Sequence, residues 1–399
     1  MTQAADRHPA LVHAGWLIDG SGAPALPDRW MVVEDGMIRA VLPAHEVPGS
    51  GLPGECLDLS GCTVLPGLVD AHLHLFMSGT DDPEVRRRQL DAGFMAMRPV
   101  IAAHLARSAA HGIVAVRDGG DYGGHALRYR TECAAAIPDG MTVRAAGRAF
   151  RAQGRYGRLI GRPPLPGQSL ADAVRGMTDP VDHVKIVNSG LNSLTHFGRE
   201  TPPQFNLDTF RAAVDAAHDR GLKVMVHCNG KAPVGIAVQA GCDSVEHGFF
   251  MGEENLRRMA DAGTVWVPTA VTMKAYAEML PPGAPEAEIA RRNFEHQLAQ
   301  IHRARVLGVR IAVGTDAGSL GVHHGRAVGE ELAILASAGF SVEGAVACGA
   351  GVGGRLLGLS GSCEIRVGSP ARFIAVEGPP QVLFQRLSTS RRFCFRTAA

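Results

Sequence analysis

CTVLPGLVDAHLHLFMSG, residues 62–79, holds the two features from which the rest of the chain can be read. An apolar run turns through Pro66-Gly67, resumes as Leu68-Val69-Asp70-Ala71 and ends on His72 and His74. Residues two apart in a strand point to the same face, with Cα atoms roughly 6–7 Å apart. Two imidazoles so placed can grip one metal ion from one side. Two ordinary buried histidines satisfy the same pattern, so the pair has to be judged against the rest of the chain.

Downstream, apolar β-branched segments alternate with helix-length stretches rich in Ala, Arg and Leu, the mark of βα units around a parallel sheet. Eight strands are expected, at 68–75, 113–118, 142–146, 183–187, 223–227, 244–246, 265–268 and 310–315. Helices such as 208–220 and 286–307 separate several of them, with Gly221 and Gly308 in the C-cap position. Eight repeats predict an α/β fold, a (β/α)8 TIM barrel. An open doubly wound sheet is the alternative, but no glycine fingerprint follows the first strand.

Ahead of the barrel, strands are expected at 10–18, 30–34, 37–42 and 55–59, with turn signals at Asp19-Gly20-Ser21-Gly22 and Asp35-Gly36. Such a run needs partner strands, and the tail offers 363–367, 372–376 and 392–395. The expected division is a small β-sandwich domain built from both termini, 1–60 and 361–399, and a barrel over 61–360. Residues 144–168, rich in Arg, Gly and Pro, read as a solvated loop that could equally line the site.

Composition narrows the function classes. A formal net charge of +1 argues against a nucleic-acid or acidic-membrane partner. No apolar run is long enough for a spanning helix. Asp6 and Arg7 fall where a secretory leader needs an apolar stretch, so a cytoplasmic chain is expected. Eight scattered cysteines with no CxxC pair fit neither a zinc ribbon nor a disulfide framework. Cys228 follows His227, so on a strand it faces away from whatever His227 faces.

Active sites of such barrels lie at the C-terminal ends of the strands. His72 and His74 end strand one, Lys185 sits in strand four (DHVKIVNSG), and His227 ends strand five (VMVHCNG). His247 ends strand six (SVEHG) and Asp316 follows strand eight (IAVGTDAG). Each alone is unremarkable, but nitrogen and carboxylate ligands gathered at matching strand ends suit zinc or a similar divalent ion. A charged, unpaired lysine pointing inward from an apolar strand costs several kcal/mol. Lys185 can deprotonate, pair with an acid, or react. A neutral amine can also take up carbon dioxide as a carbamate, whose two oxygens can bridge two metals.

These motifs are similar to those of the amidohydrolase superfamily, and the resemblance covers nearly the whole chain. It rests on VLPGLVDAHLHL, HGIVAVRDGG, the VKI strand, VHC, EHG, GTDAG and the tail phrase GSCEIRVGSPARFIAV. Ala371-Arg372 departs from the usual Ala-Asp of that tail, away from any ligand. The set resembles the binuclear, prolidase-like branch, with imidazolonepropionase-like and Xaa-Pro dipeptidase-like members. The resemblance implies two divalent metal ions, zinc expected. It puts His72, His74 and Asp316 on the more buried ion, His227 and His247 on the more exposed one, and Lys185 between them as N6-carboxylysine. It implies Asp316 as proton shuttle for a bridging hydroxide that attacks an amide or related C–N bond, as in an N-acyl amino acid or dipeptide.

The substrate is expected to be a small molecule, and a homo-oligomer is compatible with the sequence. Asn188, His323, His324 and Arg326, in loops after strands four and eight, are candidate substrate contacts. Arg117 and Asp118 border the pocket or form a structural ion pair, and Tyr156 is a further candidate. A phosphotriesterase- or lactonase-like hydrolase would use the same two-metal site. A single-metal deaminase would need an acid shortly after His227, where Cys-Asn-Gly-Lys stands instead. A catalytically dead binding protein on this fold would be expected to have lost ligands, and all six positions are filled.

Overall fold

The computed structural model describes residues 10–46 and 56–395. Residues 1–9, with Asp6 and Arg7, and Glu55 lie outside them. The first strands are β1 (Ala10–Leu17), β2 (Leu26–Glu34), β3 (Met37–Pro43) and β4 (Cys56–Pro66). β5 (Leu68–Leu73), β6 (Ile113–Asp118), β7 (Thr142–Ala145), β8 (Ala149–Phe150) and β9 (Gly161–Arg162) follow. Then come β10 (His183–Val187), β11 (Lys223–Cys228), β12 (Ser244–His247), β13 (Val265–Val267), β14 (Arg372–Glu377) and β15 (Arg391–Cys394).

The terminal strands make one six-stranded sheet in the order β15-β14-β4-β1-β2-β3, instead of the two facing sheets of the expected sandwich. Its β2–β3 hairpin turns at Asp35 and Gly36 with φ of 50° and 69°, the left-handed pair that matches strand twist in a two-residue turn. β14 covers β4 antiparallel, from Phe373 opposite Pro66 to Glu377 opposite Cys62. Cys363–Val367 is not a strand: the segment folds into turns that pin Ile365 to Asp19 and Gly368 to Ile38 through the backbone. Gly361 and Gly368 have positive φ at either end of it, which breaks an extended run.

The middle of the chain is mixed α/β, with two parallel sheets, β5-β6-β7 and β13-β12-β11-β10-β8-β9. Seven of the eight expected inner strands appear, within two residues of the expected ends. The eighth, 310–315, forms only a bridge, Ile311 with Trp266, yet runs extended between the sheets. Ala312 N–H donates to Trp266 O and Ala71 N–H to Val313 O, each at 2.9 Å, so this segment joins β13 to β5. At the other seam Asp182 N–H donates to Ala145 O at 3.0 Å. Residues 144–168 are more ordered than a solvated loop, because Phe150 pairs with Ile186 and both are buried.

Helices such as Leu207–His218 and Pro285–Val306 separate the strands, and Gly221 and Gly308 carry the left-handed φ expected after their ends. Cys228 belongs to the large apolar cluster, away from the face His227 presents. No helix of the described residues is long and apolar enough to cross a membrane.

Gly314 shows how tightly the extended segment packs on β5. A Cβ there would lie 2.4 Å from Val267 Cγ1 and 2.8 Å from the backbone nitrogen of His72. Gly314→Ala should therefore force the segment off β5 and cost about 1–3 kcal/mol, measured as a lower urea midpoint.

Candidate metal centre

His72, His74, His227 and His247 lie at the ends of β5, β11 and β12, Asp316 follows the segment that joins β13 to β5, and Lys185 lies in the middle of β10. Register explains the alignment: Lys185 stands beside Met225 and Val187 beside His227, while Cys228 stands beside His247. Alternation along β12 would send Glu246 and His247 to opposite faces. A left-handed φ of 66° at His247 turns its ring back, and Asp316 has φ 57°. Such conformations cost energy in non-glycine residues and persist where the surroundings hold them. Here Trp266 Nε1–H and Gln297 Nε2–H both donate to His247 O, at 3.0 and 2.6 Å.

Hydrogen bonds assign the imidazole protons. His74 Nδ1–H donates to Gly120 O at 2.8 Å and His72 Nδ1–H to the Glu246 carboxylate at 2.7 Å. Both therefore keep a lone pair on Nε2. His227 Nε2–H donates to Gly190 O at 3.2 Å, which leaves its lone pair on Nδ1. His247 Nδ1 is hydrogen-bonded to Thr269 Oγ1 at 2.7 Å, freeing Nε2.

The ligand atoms of His72, His74 and Asp316 lie within 4.8 Å of one another. Asp316 Oδ1 is 3.5 Å from His72 Nε2 and 3.4 Å from His74 Nε2. Two ligands each about 2.0–2.2 Å from a tetrahedral zinc stand roughly 3.3–3.5 Å apart, so the spacing fits one divalent ion. His72 Nε2 and Lys185 Nζ are buried with no hydrogen-bond partner among the described residues. Gly119 completes the cradle, since a Cβ there would lie 2.8 Å from His74 Cε1. The His247 ring is 4.9 Å from His72 and 4.6 Å from His227.

Burial sets the protonation. It pushes His74 down to about 4 and His227 to about 3, in both cases reinforced by the nearby Lys185 charge. His72 and His247 are held well below the ordinary histidine value by burial. All four imidazoles are thus neutral at pH 7, as metal ligands must be. Burial lowers Lys185 to about 8 and raises Asp316 to about 6. A cavity of about 100 Å³ opens onto His227, His247 and Asp316, walled by Leu191, Leu194, Phe249, Met273 and Tyr276.

A model of the amidohydrolase family matches residues 63–393. The chain belongs to the amidohydrolase family. Ochratoxinase of Aspergillus niger is 25% identical over 342 residues, covering 77% of this chain and 68% of its own length. An imidazolonepropionase of Saccharopolyspora erythraea is 28% identical over 262 residues, covering 60% of this chain and 62% of the relative. The crystal structure of a Xaa-Pro dipeptidase with methionine bound in its active site superposes with a TM-score of 0.79 at 26% identity, covering 95% of this chain and 96% of that one. The protein is thus a prolidase-like amidohydrolase, an enzyme that hydrolyses carbon–nitrogen bonds.

The candidate substrate contacts of this amidohydrolase do not gather at the cavity. Asn188 is buried in the loop framework, where Oδ1 accepts Gln204 N–H and Phe205 N–H while Nδ2–H donates to Pro233 O. His324 is buried, stacked on His104 at 3.8 Å and hydrogen-bonded to His74 O. His323 is exposed, and Arg326 pairs with Glu330 beside a separate groove with His111 and Phe384. Tyr156 does reach the site, its ring 5.2 Å from His227. Arg117 and Asp118 do not pair with each other: Arg117 bonds Glu246, and Asp118 accepts Leu75 N–H and Gly120 N–H.

Glu246, Thr269 and Tyr276 escaped the sequence reading. Glu246 did carry a signal, an acid in an apolar strand of the same kind that singled out Lys185. Thr269 and Tyr276 look like ordinary residues of a strand end and a helix.

Removing the Asn188 side chain takes the partner from Phe205 N–H and one donor from Pro233 O, while Gln204 N–H keeps the backbone carbonyl of Asn188. Asn188→Ala should cost about 1–3 kcal/mol, read as a lower melting temperature, with bound metal unchanged.

Proposed function

We propose that this amidohydrolase is a two-metal hydrolase of amide and related C–N bonds, with N-acyl amino acids or dipeptides as the substrate class. The observation that carries the reading is the pair of buried, unpartnered atoms, His72 Nε2 and Lys185 Nζ, set among neutral imidazoles and Asp316. Buried polar atoms are almost always partnered, so two orphans in one site argue for a ligand. The bonds described from Val313 to β5 and from Asp182 to β7 support closure of the two parallel sheets into a (β/α)8 barrel. Residues 61–360 would then form the barrel, and 1–60 with 361–399 a small β domain. A cytoplasmic enzyme acting on a small molecule belongs to the same proposal.

His72, His74 and Asp316 would hold one ion, His227 Nδ1 and His247 Nε2 a second, and Lys185 would lie between them. Zinc is the expected metal. Bound there, the ions would supply hydroxide at neutral pH and polarise the scissile carbonyl. Lys185, whose ammonium is already disfavoured by burial, loses a proton readily; the amine adds carbon dioxide and releases a second proton to become a carbamate. That anion offers two oxygens and removes the cost of a buried ammonium. Asp316 Oδ2 accepts the Ser319 hydroxyl at 3.0 Å, which holds the carboxylate in place. Asp316, whose Oδ1 faces His72 and His74, would be placed to take a proton from that hydroxide and pass it to the leaving amine. The apolar walls from Leu191, Leu194, Phe249 and Met273 suit the hydrocarbon part of an acyl or amine group. That ochratoxinase and a Xaa-Pro dipeptidase are among its relatives supports the amide bond as target.

Chelation should abolish hydrolysis of zinc-loaded protein in a screen of N-acyl amino acids and Xaa-Pro dipeptides, and zinc should restore it. Lys185→Ala should lose metal and turnover together, with no rescue by bicarbonate. Two metals and full turnover in that variant, measured by elemental analysis and kinetics, would refute the bridging role.

A further inference from the structure

Glu246 lies one residue before His247, fully buried, with both oxygens engaged. Oε2 accepts His72 Nδ1–H at 2.7 Å. Oε1 accepts Arg117 Nη2–H at 2.9 Å and the Ser244 hydroxyl at 2.5 Å. Arg117, itself 3% exposed, also donates from Nη1 to Ser244 Oγ at 3.0 Å and from Nε to Ala71 O at 2.6 Å. His72 is thus held twice, its ring by Glu246 and the peptide just before it by the arginine that holds Glu246.

A buried ion pair is by itself weak evidence of a stabilising role. A carboxylate that only accepts forces the proton of His72 onto Nδ1. The opposite tautomer would face a lone pair to a negative oxygen. The lone pair is therefore held on Nε2, the atom 3.5 Å from Asp316 Oδ1 and without a hydrogen-bond partner.

We propose that Glu246, fixed by Arg117 and Ser244, is a positioning residue: it sets the tautomer and orientation of His72 and makes Nε2 a better metal ligand. This rests on His72 being a ligand, as proposed above. Outer carboxylates that hold metal-bound histidines usually change metal affinity about 10–100-fold when replaced. A neutral glutamine offers a weaker acceptor and an amide donor that competes for the ring.

The experiment is zinc affinity by chelator competition on the full-length protein, for wild type, Glu246→Gln, His72→Asn and the double variant. Glu246→Gln is expected to weaken the site served by His72 about 10–100-fold. In the double variant it should add little to the loss from His72→Asn, because its effect runs through that ring. Nitrogen-15 NMR of the metal-free protein should show His72 as the Nδ1–H tautomer in wild type and mixed tautomers in Glu246→Gln. Wild-type affinity and tautomer in Glu246→Gln would overturn the proposal, as would a full additional loss in the double variant. If His72→Asn itself leaves affinity intact, the ligand reading fails instead. Should Glu246→Gln not fold, Glu246→Asp, whose shorter reach opens the same bond, takes its place with the same expected weakening.

Discussion

Desolvation is the constraint on which the site rests. In water a cluster of four imidazoles near a lysine would be partly protonated and mutually repulsive at mildly acidic pH. Burial removes the charge from each ring before any repulsion arises, and lowers the lysine as well. The same low polarity raises Asp316, so one physical cause disfavours the charged form of imidazoles, lysine and carboxyl alike. The cost is a set of polar atoms with nothing to bond, which is why such a pocket favours cations that bring their own charge.

Holding these groups in register takes backbone strain as well as packing. His247 and Asp316 both adopt left-handed conformations, as do Thr269 and Phe250 nearby. The Thr269 hydroxyl bonds His247, and the helix that follows is anchored by Glu331, which accepts the N–H groups of Ala270 and Val271. The wall bearing Met273 and Tyr276 is thus tied to the ring of His247 through three residues of chain.

Much of this was legible in the sequence, and the reasons are local. Strands such as His183–Val187 announce themselves by apolar β-branched runs, and Lys185 stands out because its charge contradicts its surroundings. Strand-end histidines could be ordered because parallel strands share one polarity. Asn188 and His324 misled because position after a strand says nothing of which way a polar side chain turns: Asn188 satisfies backbone groups of its own loop, and His324 the carbonyl of His74. The segment 363–367 looked like a strand by composition, yet the glycines around it set turns. Thr269 matters through one bond formed by a distant helix connection, which no local pattern encodes.

The terminal sheet has a consequence for how the chain is made. β4 runs into β5 across Gly67, so the strand that ends on His72 continues from one that β14 must cover. The Thr63 hydroxyl bonds Gly378 O, a partner 315 residues later. On the ribosome β4, which leads into β5, is thus synthesised early but keeps a bare edge until almost the whole chain has emerged. Such long-range closure slows folding and leaves unpaired edges exposed meanwhile.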